Sequence, residues 1–258
     1  MFANAAHAED ANQGKKTFNL SEVHQIDVSD FYQVTLIQGD KEYVTATGPS
    51  QALANIDGQF QGNVLSLGSK TDALLPISLE IGIKNLEKLV LENVLETKIE
   101  SLNADKLSLA SVGTGLLSLG KISAQKLKIT SHGTGEIWGE LLTSTDVNLT
   151  VSGSGNVNIF ELKANHLRTN ISGSAGVHID HVGEVETSAI SLSGSGLFDA
   201  ANLIMHQAEI AIAGSANALV NVLENLDVST SGSGTVTYYG NPNIDSGIFG
   251  TGLVRRAF

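Results

Sequence analysis

The chain contains no cysteine, which excludes disulfides, thiolate metal sites, a cysteine nucleophile and a lipid anchor on an N-terminal cysteine. Proline (3 residues) and aromatics (5%) are scarce, and charged residues, at 16%, fall well below the roughly 25% of an ordinary soluble protein. No apolar run approaches the ~18 residues of a transmembrane helix, so no membrane span is expected. Positive charge is also short: the formal net charge of −12 repels nucleic acid and anionic membrane surfaces, and neither is expected as a partner. What the chain has instead is glycine, 27 in 258 residues, in a sequence that is 41% hydrophobic. That mixture favours tight, repeated turns over a bulky globular core.

The glycines recur in a fixed setting. Gly-Ser/Thr-Gly stands at Gly113-Thr114-Gly115, Gly133-Thr134-Gly135, Gly153-Ser154-Gly155, Gly194-Ser195-Gly196 and Gly232-Ser233-Gly234, with alanine variants at Gly173-Ser174-Ala175 and Gly214-Ser215-Ala216. Successive first glycines lie 20, 20, 20, 21, 20 and 18 residues apart, a period that marks a solenoid. Aligning the rungs on that glycine puts Leu117, Ile137, Val157, Val177, Phe198, Ala218 and Val236 in one column, four residues on. Nine residues on come Ile122, Leu142, Leu162, Val182, Leu203 and Leu223. Apolar and polar positions alternate with period 2, the pattern of strands buried on one face. The fold expected is all-β: a single-stranded parallel β-helix of seven or eight rungs, a rod roughly 35–40 Å long at ~4.8 Å per rung. Glycine suits its corners, where the backbone takes positive φ or neighbouring rungs approach closely. Serine and threonine beside the glycines form hydroxyl ladders, one through Ser152, Ser172, Ser193 and Ser231, the other from Thr114 to Ser233.

The ends are less regular. Residues 1–16 read as a flexible tail or residual signal peptide, since Ala6-His7-Ala8 resembles a small-x-small cleavage site, with the mature chain starting near Glu9. Export to the periplasm, cell surface or medium is the expectation. Residues 17–258 form one domain, in which 17–92 make a β cap and the first strands and 93–250 the repeats. Within the cap, QVTLIQGDKEYVTAT (33–47) reads as two strands joined by a hairpin-like turn at Gly39-Asp40, and Ser50 to Ile56 as one helical turn capped by Ser50.

FYQVTLIQGD near the start, the recurring SGSG, and the closing SGSGTVTYYGNP together resemble the bacterial head GIN domain family of auto-transporter adhesins, over about Thr17 to Gly250. The resemblance implies a right-handed, pectin-lyase-like β-helix, a place at the cell envelope and an adhesion role. It carries over no catalytic residue.

The glycine knots fit no catalytic or nucleotide motif. A phosphate-binding loop and a nucleophile elbow both need a helix after the knot, and here a strand follows. Calcium-binding solenoid repeats need aspartates at the corners, and hexapeptide solenoids step by about 18 residues. The candidate binding residues are therefore few. His178, Asp180 and His181 cluster with Asp199 one rung above His178, a group able to bind a ligand or move a proton, although a solvated polar face accounts for them as well. Trp138, the lone tryptophan, stands in the outward column Lys98, Ser118, Trp138, Asn158, His178, Asp199, Leu219, Thr237 as a sugar-stacking platform or a packed corner. No cofactor, metal set or catalytic residue is indicated. The leading function is a non-enzymatic exported adhesion or binding module for a surface glycan or protein, with a homo-oligomer left open. The alternative is a carbohydrate-active β-helix enzyme, a lyase or hydrolase.

Overall fold

The computed structural model describes residues 13–71 and 76–257. The Ala6-His7-Ala8 motif lies outside the described residues. The first elements are β1 (Gln13–Asn19), β2 (Gln25–Ser29), β3 (Gln33–Gln38), β4 (Tyr43–Pro49), the short helix α1 (Ser50–Ala54), β5 (Ile56–Gln61), β6 (Val64–Ser69), β7 (Ser78–Ile83) and β8 (Lys88–Glu92). The repeats supply β9 (Glu96–Gly113), β10 (Leu116–Gly133), β11 (Glu136–Gly153), β12 (Asn156–Gly173), β13 (Gly176–Ile179), β14 (Gly183–Gly194), β15 (Leu197–Gly214) and β16 (Asn217–Gly232). The last elements are β17 (Thr235–Gly240), β18 (Asn243–Gly250) and β19 (Leu253–Arg256).

The protein is a β-solenoid of about 8 turns with about 20 residues per turn. The glycine alignment is the structural register: Gly113, Gly133, Gly153 and Gly173 pair in sequence across parallel neighbours. Pairing lapses at two further positions per rung, at Gly120 and Gln125 in β10 and at Glu140 and Thr145 in β11, so each rung bends into three runs. The column four residues after the glycine is buried from Leu117 to Val236. Its volumes compensate: Phe198 stands between Val177 and Ala218, the small alanine making room for the ring. All the leading glycines from Gly113 to Gly250 have positive φ. In the second serine ladder Ser174 bonds Ser195 at 3.2 Å and Ser215 bonds Ser233 at 3.0 Å.

Two members of the column nine residues after the glycine are not core. Val182 (62% exposed) and Leu223 (44%) face solvent because their rungs depart from 20 residues. The 21-residue rung carries its extra residue between β13 and β14, so Gly183, not Val182, comes into register with Leu203. The 18-residue rung shifts register between Ala200 and Gln207, and buried Val222 pairs with Met205.

The first strands join the stack out of chain order. β2 lies between β6 and β8, and β3 lies between β7 and β9, all parallel. The expected Gly39-Asp40 hairpin is therefore split, because β7 inserts between its arms and pairs with β3 on one edge and antiparallel with β4 on the other. Beyond β4 lies β1, and beyond β6 lies β5, each antiparallel to its neighbour. The helix at 50–54 is present, but Pro49 holds the N-cap position and Ser50 is the first helical residue.

One corner cluster couples the fold to pH. His206 lies between Glu184 (2.7 Å to Nε2) and Glu224 (2.9 Å to Nδ1), and its hydrogen bonds to Glu184 and then Glu224 raise its pKa above the ordinary 6.5. A raised folded-state pKa stabilises the fold fully below the unfolded value and less as pH rises through the folded one. The melting temperature of the wild type minus that of His206→Gln is thus expected to be positive at pH 6 and to narrow steadily as pH rises. A gap that widens with pH would contradict this assignment.

Candidate functional site

Where β9, β10, β11 and β12 turn out of their first run, the outward side chains frame a concavity of about 570 Å³. Gly120 and Gly139 lie in its lining without side chains, and Trp138 and Phe160 border it. Both rings are half-exposed, Trp138 at 49% and Phe160 at 52%. Alternation puts them on the outer face, since their neighbours Ile137 and Ile159 point into the core. They come from adjacent rungs: Trp138 pairs with Asn158, two residues before Phe160. The Trp138 indole N–H donates to Glu136 Oε2 at 3.2 Å, which restrains the ring.

Carboxylates surround the rings. Glu100, Glu140 and Asp180 line the concavity, and Lys98, the one cationic lining residue among those described, is held by Glu100 at 3.2 Å. The site is therefore net negative, with aromatic faces able to stack on apolar ligand surfaces and carboxylates able to accept hydrogen bonds from hydroxyls or ammonium groups.

The structure draws some sequence candidates together and leaves others apart. Trp138 and Asp180 line the same concavity. Asp180 N–H donates to Ile159 O at 2.9 Å and His181 N–H to Phe160 O at 2.8 Å, so the irregular rung turns these two residues over Phe160. The His181 ring meets the Phe160 ring at 4.9 Å between centroids, tilted 45°. His178 and Asp199 are in register with one another, both half-buried, and neither lines the concavity. The Asp199 carboxylate accepts the Ala201 N–H at 3.3 Å. Among the described residues no three His, Asp or Glu side chains converge as a metal-ion set. Phe160, Glu100 and Glu140 are the members that sequence reasoning missed. Their signal was an aromatic at an outward position in a chain with few aromatics.

A second concavity, about 790 Å³, follows the next corner of the same rungs and is lined mainly by small and polar groups, among them Asn103, Ser123, Thr143 and Asn165. It offers hydroxyls and amides but no aromatic face. No helix among the described residues is long and apolar enough to cross a membrane.

A family model described as "Putative auto-transporter adhesin, head GIN domain" matches residues 23–184 and 142–242. No curated protein matches the chain in sequence. Among solved structures, one described as a putative adhesin from Parabacteroides merdae is similar at 20% identity and TM-score 0.75, covering 96% of this chain and 98% of that one. A putative adhesin from Parabacteroides distasonis is similar at 18% identity and TM-score 0.74, and a putative lipid binding protein from the same species at 19% and 0.71, with the same coverage. At these identities the likeness shows the shared fold.

Proposed function

The chain belongs to the head GIN domain family, and from that premise we propose that it is a non-enzymatic binding module, exported to the cell envelope, which holds a surface glycan against Trp138 and Phe160. The observation that carries this reading is the pair of half-exposed aromatic rings bordering one concavity on the outer face of the solenoid. Sugar rings present apolar C–H faces that stack on such aromatics, while Glu140 and Asp180 are placed to accept hydroxyl hydrogen bonds. The acidic surroundings and the net charge of −12 favour a neutral or amino-sugar glycan over a sulfated or uronic one. Export is supported by the adhesin description of the family and by Ala6-His7-Ala8.

A glycan array probed with the purified full chain tests the reading. Binding to a restricted set of neutral or amino-sugar glycans is expected, and Trp138→Ala should weaken it at least tenfold without lowering the melting temperature, as loss of a central aromatic anchor does. Undiminished binding by Trp138→Ala would remove the site from the account. The three carboxylates in one concavity favour a second reading, glycoside hydrolysis, in which paired carboxylates act as acid and base. If an array-positive glycan is cleaved, and Glu140→Gln or Asp180→Asn abolishes cleavage while binding persists, that reading replaces the first.

A further inference from the structure

A solenoid's hydrophobic core has to end somewhere, and at the N-terminal end it ends in an open slot. One side of the stack continues past β7 into β4 and β1, the other past β6 into β5. Between these edge strands lies a cavity of about 640 Å³. Its inner lining includes Val44, Ile56, Leu65 and Leu67, all buried members of the core, so the slot is continuous with the interior of the rod. Phe18 (37% exposed) and Phe60 (50%), from the edge strands of opposite sides, also line it.

Among the described residues the charged members of the lining are Lys16, Lys70 and Asp57. Lys16 Nζ stands 4.7 Å from the centroid of the Phe18 ring, and Asp57 accepts a hydrogen bond from Gln59 Nε2 at 3.4 Å. Two ammonium groups against one carboxylate make this slot net positive in a chain of net charge −12. The neutral polar side chains of the described lining are Asn19, Ser21 and Gln59, and the Gln59 amide is turned to Asp57, so most of the wall is apolar and suits a hydrocarbon better than a sugar. An apolar slot with ammonium groups and aromatic rings at its lining matches a chain with an anionic end.

We propose that this slot binds a single-chain amphiphile with a carboxylate head, a fatty acid, its hydrocarbon lying between the two sides of the stack and its head at Lys16 and Lys70. The site is separate from the Trp138 concavity, and the proposal stands whether or not a glycan binds there. The chain would complete the core: it covers Phe18, Phe60 and the floor residues in the manner of one more layer of side chains. Each methylene taken out of water adds about fourfold to affinity, so binding lengthens with the chain until the slot is full.

Isothermal titration of the purified full chain with submicellar laurate, caprate and dodecyltrimethylammonium tests this. Laurate is expected to bind saturably with one site, caprate, two methylenes shorter, about fifteenfold more weakly, and the cationic amphiphile at least tenfold more weakly than laurate. Replacing Lys16 and Lys70 together by alanine should erase the preference for laurate over the cation. Gly58→Phe provides an independent plug. A Cβ at Gly58 would stand 3.5 Å from Leu67 Cδ2, an ordinary contact at a backbone position that requires no positive φ. The ring is then expected to occupy the slot, leave the melting temperature unchanged or higher, and weaken laurate at least tenfold. No saturable laurate binding, equal binding of both heads, or unchanged binding by Gly58→Phe would each overturn the proposal.

Discussion

Ile159→Asp is expected to cost about 4 kcal/mol of stability, whereas Asn158→Asp, one residue away, should change it by less than about 0.5 kcal/mol. Ile159 is wholly buried, in register with Gly139 below and Ile179 above, on the apolar inner face of its strand. The buried charge must either be desolvated or take up a proton, and both routes are costly. Asn158 points outward between Trp138 and His178, where an added carboxylate remains hydrated. Denaturant melts of the two variants measure the difference. Equal losses would mean that the strand is shifted by one residue, which would turn every side chain to the opposite face.

The second large effect is at a corner. Gly153→Ala is expected to cost about 3 kcal/mol or more, because two independent demands meet at one backbone position. Its φ of +108° lies where side-chain-bearing residues are strained, and an added Cβ would fall 2.3 Å from the carbonyl oxygen of Gly133. That oxygen accepts the N–H groups of Ser154 and Gly155 at 2.9 and 3.1 Å, so relieving the clash means opening the corner. Gly39→Ala is the matched control. No atom lies within 4 Å of a Cβ there and φ is unremarkable, so a change within about 0.5 kcal/mol is expected in thermal melts. A corner variant as stable as its control would show that glycine is not required by the rung geometry.

The repeats were legible because a solenoid stacks equivalent positions directly on one another. The recurrence of Gly133, Gly153 and Gly173 at equal intervals is itself the pairing register. Where the period breaks, equivalent positions no longer stack. Val182 and Leu223 hold apolar side chains at the expected count from their glycines, yet one residue gained or two lost in a rung moves the core position to a neighbour. The first strands were legible as strands but not as a topology. Alternation states which face of β3 is buried, not which strand lies beside it, and the insertion of β7 between β3 and β4 is decided by long-range pairing that Gly39-Asp40 does not encode. The candidate site was half legible. Trp138 was visible as an outward aromatic, while Phe160 was hidden within a strand whose interest lay in its glycines. The union of Asp180 and His181 with Phe160 depends on an irregular rung whose shape the spacing alone does not give.

Trp138 is the only tryptophan in the chain, so its fluorescence reports the proposed binding site without labelling. The central claim is that ligand is held on this exposed indole. Titrating the purified chain with an array-positive saccharide while recording tryptophan emission tests that claim most directly. The account predicts a saturable change in emission whose midpoint equals the dissociation constant measured by calorimetry, together with protection of the indole from acrylamide quenching. Full binding by calorimetry with emission and quenching unchanged would contradict it, and would place the ligand on another face of the rod.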